Sequence, residues 1–158
     1  MIAEPTDTQI CQLKITLKDV HPPIWRRIQA KDCTLDELHE HLQTAMGWTD
    51  SLLYDYLIAG YVYADPVVVT DPVDGELDII DCTQIWLTSI LPVDGREFSF
   101  DYDAGPPGSG WRHRITFEGY VTADPMRRYP VCLEGARACP PADGDPYEYQ
   151  AYLDARCG

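Results

Sequence analysis

The sequence is short of positive charge. Its 158 residues carry 12 Lys and Arg against 26 Asp and Glu, a formal net charge of −14. A surface that acidic repels bare phosphate backbones, which argues against bulk, non-specific nucleic-acid binding. Lysine is the scarcer cation, with only Lys14, Lys18 and Lys31 present. The arginines cluster as Arg26/Arg27, Arg112/Arg114 and Arg127/Arg128. Arg is the residue of planar, bidentate carboxylate and phosphate recognition, so a local anion site inside a repelling surface is open to this chain. No apolar run approaches the length of a membrane span. The first residues, MIAEPTDTQI, have neither the basic nor the apolar region of a secretory signal. The expectation is a cytoplasmic protein with reduced thiols and no membrane partner. No CxxC pair occurs, which argues against a zinc knuckle or a thioredoxin-like motif. GxSxG, P-loop and dinucleotide fingerprints are missing as well.

The length suits a single domain that buries about two-thirds of its unfolded surface. Residues 1–9 read as a flexible tail and 10–158 as that domain. CQLKITL alternates, with Cys11, Leu13, Ile15 and Leu17 on one side, and predicts a half-buried strand. The prolines of KDVHPP interrupt it, and IWRRIQ resumes as an antiparallel partner. Arg26 falls on the face of Ile24 and Ile28, which calls for a sheet edge or a buried acidic partner. Thr34-Leu35-Asp36-Glu37 reads as a capping box. Leu35, Leu38, Leu42, Ala45 and Met46 follow at helical spacing, and Gly47 closes the helix. His39 falls on the apolar face as a core or boundary histidine, and His41 on the exposed flank. LLYDYLIAGYVYA reads as one further strand. The stretch 65–81 is dominated by turn signals, with one short strand conceivable at Val67–Thr70. Gln84–Leu91 is ambiguous between helix and strand. The segment from Tyr129 begins as proline-punctuated loop, and Asp145-Pro146 starts a short last helix.

The densest stretch is FSFDYDAGPPGSGWRHRITF, residues 98–117, read as strand, loop, strand. Phe98, Phe100 and Tyr102 share one face, and Ser99, Asp101 and Asp103 the other. After the loop, Trp111, His113, Ile115 and Phe117 alternate with Arg112, Arg114 and Glu118. Antiparallel pairing would set aspartates against arginines. That is either a cross-strand ion-pair ladder or a carboxylate–arginine–histidine cluster at a loop mouth.

Four stretches together resemble one family: QLKITLKDVHPPIWRRI, TLDELHEHLQTAMGW, FDYDAG with WRHRITFEG, and YPVCLEGARACPP. In that order they are similar to the plasmid Ri open-reading-frame-three family (pRiA4b ORF-3-like), whose members are also described as passenger proteins of transposable elements. The resemblance spans roughly residues 10–150. It implies an α+β fold: a mainly antiparallel sheet of about five to six strands, packed on one long helix and one or two short ones. It implies no reaction. The family's hairpin runs aromatic-Asp-Phe-Gly-Asp-x-Trp-x-His. Here Tyr102, Asp103, Gly105, Trp111 and His113 are kept, Ala104 replaces the Phe, and PPGSG replaces the acidic position. Relatives carry a His-Leu-His strand after the helix where this chain has Leu52-Leu53-Tyr54. They carry a Cys after the CPP motif where it has Ala142-Asp143-Gly144. They are also expected to continue into a further C-terminal helical region. A metal or catalytic centre built on the replaced residues would be impaired.

The residues themselves leave three function classes. The favoured one is a non-enzymatic binding or adaptor module, with Trp25 and Trp111 as apolar walls and Arg27, Arg112 and His113 as donors beside Asp101 and Asp103. Its partner would be an unknown protein or a small anionic ligand, held in one pocket. The second class is a small metal-dependent hydrolase or nuclease using the aspartates with His113. A metal site from Cys132, Cys139, His39 and His113 fits the compact spacing of structural zinc poorly, so no cofactor is expected. The third class is an acidic inhibitor or DNA mimic, with carboxylates in two rows.

Overall fold

The computed structural model describes residues 9–47, 53–65, 79–91, 98–105 and 111–136, with the backbone alone at 53, 102–105 and 111. In chain order the strands are β1 (Gln9–Leu17), β2 (Ile24–Ala30), β3 (Leu53–Ile58), β4 (Tyr61–Ala64), β5 (Ile79–Asp81), β6 (Ser99–Gly105), β7 (Trp111–Thr122) and β8 (Val131–Ala136). Helix α1 (Leu35–Met46) follows β2, and a 3-10 turn (Cys82–Gln84) leads to the one-turn helix α2 (Leu87–Ile90). The strands form one sheet in the order β5-β4-β3-β6-β7-β1-β2-β8.

This corrects the expected architecture. Among the described residues the sheet has eight strands, not five or six, and it is mixed, because β4 and β5 run parallel while the other neighbours are antiparallel. Three local causes account for the difference. Ala59 and Gly60, both at positive φ (52° and 85°), turn the chain and split the single expected strand into the β3–β4 hairpin. Strand β5 has only three residues, in a segment where turn signals dominate. Strand β8 lies at the sheet edge and is largely exposed, so it has no buried face to produce alternation. The ambiguous stretch 84–91 resolves into the end of the 3-10 turn followed by α2. Strand β1 starts at Gln9. Val67–Thr70 and the Asp145-Pro146 helix lie outside the described residues.

One face of the sheet makes the core. Cys11, Leu13, Ile15 and Leu17 of β1 pack with Ile24 and Ile28 of β2, Ile115 and Phe117 of β7, Phe100 of β6 and Tyr56 of β3. Helix α1 joins this cluster through Leu35, Leu38, Leu42 and Met46. Burying a Leu or Phe side chain of this kind stabilises by about 1.5–3 kcal/mol. The Tyr56 hydroxyl donates to the Leu35 carbonyl at 2.7 Å and ties β3 to the start of the helix. Gly47, at φ 75°, returns its N–H to the Gln43 and Thr44 carbonyls, as expected of a left-handed C-cap. The capping box differs from expectation. The Thr34 hydroxyl donates to the Asp36 and Glu37 carboxylates and not to the backbone. The helix start is instead anchored by main-chain bonds, Leu35 N–H to the Ile85 carbonyl (2.9 Å) and Leu87 N–H to the Cys33 carbonyl (2.7 Å).

His39 is buried on α1 and stacks on Tyr54 with centroids 3.7 Å apart. Burial drives its imidazole down to about 4, so it is neutral near pH 7. His41, expected on an exposed flank, is half-buried, and burial lowers its imidazole too.

Candidate functional site

The opposite face of the sheet is polar, and strand register sorts the candidate residues onto it or away from it. Thr16 of β1 stands between Trp25 of β2 and Arg114 of β7, and Arg114 is in turn opposite Asp101 of β6. One rung along, Lys14 stands between Arg27 and Thr116. One rung the other way, Arg112 is opposite Asp103. Trp25, Arg27, Arg112, Asp101 and Asp103 therefore belong by register to the outer face. His113 does not. It pairs with Leu17 and Tyr102, is fully buried, and belongs to the core side. Trp111 shares the register parity of His113. The sheet thus sends His113 to the side opposite Asp101, and the two do not form an acid–base pair. Among the described residues, no three His, Cys, Asp or Glu side chains gather as metal ligands would.

Arg27 and Arg112 share a face but not a pocket. They lie two rungs and two strands apart, roughly 16 Å by sheet spacing. Arg27 belongs to a closed network. Its Nε and Nη2 meet Glu118 Oε1 and Oε2 at 2.6 and 2.9 Å, a bidentate pair, and Nη1 also reaches Glu134. Two bulges deliver these carboxylates. Glu118 is the extra residue where Leu13 pairs with Phe117 and Gln12 with Gly119. Gly119 sits there at φ 117°, a conformation only glycine adopts readily. Leu133 is the extra residue where Arg27 pairs with Glu134 and Ile28 with Cys132. Gln12 donates to Glu118 at 3.2 Å, Gln29 to Gln12 at 2.8 Å, and Arg127 to Gln29 at 3.3 Å. Glu118 is held below its ordinary value, chiefly by its hydrogen bonds from Arg27, and Arg27 is raised by the same bonds. Trp25 is occupied as well, with Lys14 and Arg27 lying 4.9 and 5.1 Å from its ring centroid.

Arg26, which needed a partner on the core side, finds main-chain carbonyls. Its Nη1 donates to Trp25 (2.8 Å) and Ala136 (3.2 Å). It packs where Gly135 leaves room, since a Cβ there would lie 2.7 Å from both Arg26 Cδ and the Trp25 carbonyl. This places Arg26 beside the edge strand β8, the first of the two positions its pattern called for.

The second cationic region lies at the far end of the same face. A cleft of about 390 Å³ opens where the β1–β2 turn meets the start of β7, lined by Thr16, Lys18, Asp19, His21, Arg112 and Arg114 among others. The Lys18 N–H donates to the Arg112 carbonyl at 2.8 Å, which continues the β1–β7 ladder into the turn. Arg112 and Arg114 are exposed, and neither has a carboxylate within ion-pair distance among the described residues. Asp101, although opposite Arg114 in register, accepts on its Oδ2 from Lys18 Nζ at 2.7 Å. Sequence reasoning reached Arg112 and placed Arg114 on the same face, but missed Lys18, His21 and Thr16. The local signal was that KDVHPP is a turn after β1; that β7 pairs with β1 beside that turn leaves no trace in the sequence.

Of the cysteines, Cys11, Cys33 and Cys82 are buried, and Cys132 is exposed on β8. Burial raises the Cys11 and Cys82 thiols, to about 12 and about 11, and raises Cys33 too. These three are core side chains and not nucleophiles. No described helix is long and apolar enough to cross a membrane.

A large mixed sheet with one long helix on its buried face and a charged opposite face defines the structural class. The chain belongs to the plasmid pRiA4b ORF-3-like protein family, whose profile matches residues 9–157. It is 33% identical over 154 residues to the uncharacterized protein y4hQ of Sinorhizobium fredii, covering 92% of this chain and 72% of that one. It resembles the crystal structure of a protein of unknown function, MM3350 from Methanosarcina mazei Go1, with a TM-score of 0.78. That match covers 97% of this chain and 84% of the other at 23% identity, which speaks for the shared fold.

Proposed function

We propose that this protein is a non-enzymatic binding module whose ligand is an anionic group received in the Lys18–Arg112–Arg114 cleft. The observation that carries this reading is the pair of exposed arginines on one side of β7, without acidic partners among the described residues, in a chain of net charge −14. Exposed arginines without carboxylate partners keep their planar forks available to meet phosphate or carboxylate bidentately. The Thr16 hydroxyl and the Lys18 ammonium add donors from a second direction, which suits the several oxygens of a phosphate. The cleft volume is in the range of small-ligand sites. A long polyanion is disfavoured by repulsion from the rest of the surface. Of the pocket expected from Trp25, Trp111, Arg27, Arg112 and His113, this reading keeps Arg112. Trp25 and Arg27 support the sheet, His113 supports the core, and Arg112 remains.

Calorimetric titration at low salt with inorganic pyrophosphate tests the proposal. The wild-type chain binds it, and the double substitution Arg112→Ala/Arg114→Ala weakens binding at least about tenfold. Equal affinity in the two proteins contradicts the reading.

A further inference from the structure

Two carboxylates stand by the cleft: Asp19 lines it, and Asp101 is held by its cation Lys18. Asp101 lies opposite Arg114 in the β6–β7 register, yet its Oδ2 is 2.7 Å from Lys18 Nζ. The two side chains are 23% and 28% exposed, so the pair is neither sealed in the core nor free in solvent. The Lys18 backbone is fixed by its bond to the Arg112 carbonyl, whereas its side chain is a flexible four-carbon stem carrying a point charge. A single, partly exposed ion pair without a bidentate geometry is exchangeable. The contrast with Arg27 is direct, because two carboxylates hold that guanidinium, one of them bidentately.

We propose that Asp101 is an internal competitor: it holds Lys18 at the rim in the ligand-free protein and yields it when an external anion enters the cleft. This rests on the reading of the cleft as an anion site and adds its regulation. The external anion must outbid a carboxylate that is already in place, so weak monoanions such as acetate are rejected. A group of higher charge density, of the phosphate or phosphoanhydride class, draws the Lys18 ammonium inward and leaves Asp101 to solvent. Selectivity then comes from a repulsive element as much as from the attractive ones.

The experiment is pyrophosphate titration of the full chain and four variants at low salt. Asp101→Asn binds about tenfold tighter than wild type and gains measurable acetate binding. Asp101→Ala does the same, so misfolding of one variant leaves the other to report. Lys18→Gln binds more weakly, and adding Asp101→Asn to it restores less than about threefold. Unchanged or weaker binding in both Asp101 variants overturns the proposal. So does a full tenfold gain without Lys18, since Asp101 would then act as bulk charge and not through the lysine. The parent reading fails by a different result: Arg112→Ala/Arg114→Ala retaining wild-type affinity.

Discussion

Two cationic regions share one face of the sheet and have opposite fates. At the β8 side, Arg27 is met by Glu118 and Glu134 and backed by Gln12, Gln29 and Arg127. At the turn end, Arg112 and Arg114 are exposed on a cleft that Asp19 also lines, and Asp101, opposite Arg114 in register, is engaged by Lys18. The residue types are the same and the distance is about two strands and two rungs. What differs is delivery of the partner. Two bulges aim glutamates at Arg27, whereas β6 and β7 meet without a bulge in the register beside Arg114. An arginine in a sheet becomes structural when the backbone brings it a carboxylate and stays available when it does not.

The comparison can be broken by stability measurements. The largest expected effect is common to both regions and must be subtracted first. His39 titrates near 6.5 when unfolded and is held at about 4 when folded. The folded state resists the proton that the unfolded state accepts, so stability is full above pH 6.5 and is lost as pH falls toward 4. The loss is roughly 3 kcal/mol, read by urea denaturation across that range in every variant. Next, Arg27→Ala should cost about 2 kcal/mol at pH 7, because it strands a partly buried Glu118, and should leave pyrophosphate binding unchanged. A cost below about 0.5 kcal/mol would erase the distinction between the regions. Arg27→Lys should cost about 1 kcal/mol, since an ammonium cannot replace a bidentate fork.

The acid limb sharpens this further. Glu118 is held below its ordinary 4.5 by Arg27, so the pair's contribution is present above that value and fades as pH falls through the lower folded value. Wild type and Arg27→Ala should therefore differ at pH 6 and converge at strongly acid pH. The smallest effect is expected for Arg112→Ala/Arg114→Ala, whose stability should stay within about 0.5 kcal/mol of wild type at every pH.

Much of the framework was legible in the chain, and the reasons are local. Helix α1 announced itself through Leu35, Leu38 and Leu42 at helical spacing and a glycine stop, although its N-terminal anchor turned out to be Ile85, a contact from outside the local pattern. Strands β1 and β2 alternate because one of their faces is buried. Strand β8 does not alternate because it is an edge, and the β3–β4 turn depends on Ala59 at positive φ, which no residue preference signals. At the candidate site, alternation correctly parted Asp101 and Arg112 from His113. It could not show that Arg27 is already taken, because Glu118 and Glu134 lie 91 and 107 residues away and arrive through bulges. Long-range partners of this kind leave no periodic trace.

The division of labour between the two arginine groups is tested most directly by following backbone amide resonances of the 15N-labelled chain during pyrophosphate titration. The account predicts shifts concentrated at Thr16–His21 and Arg112–Arg114, with Gln12, Arg27, Glu118 and Glu134 unmoved. Shifts centred on the Arg27 network, with the cleft silent, would contradict it.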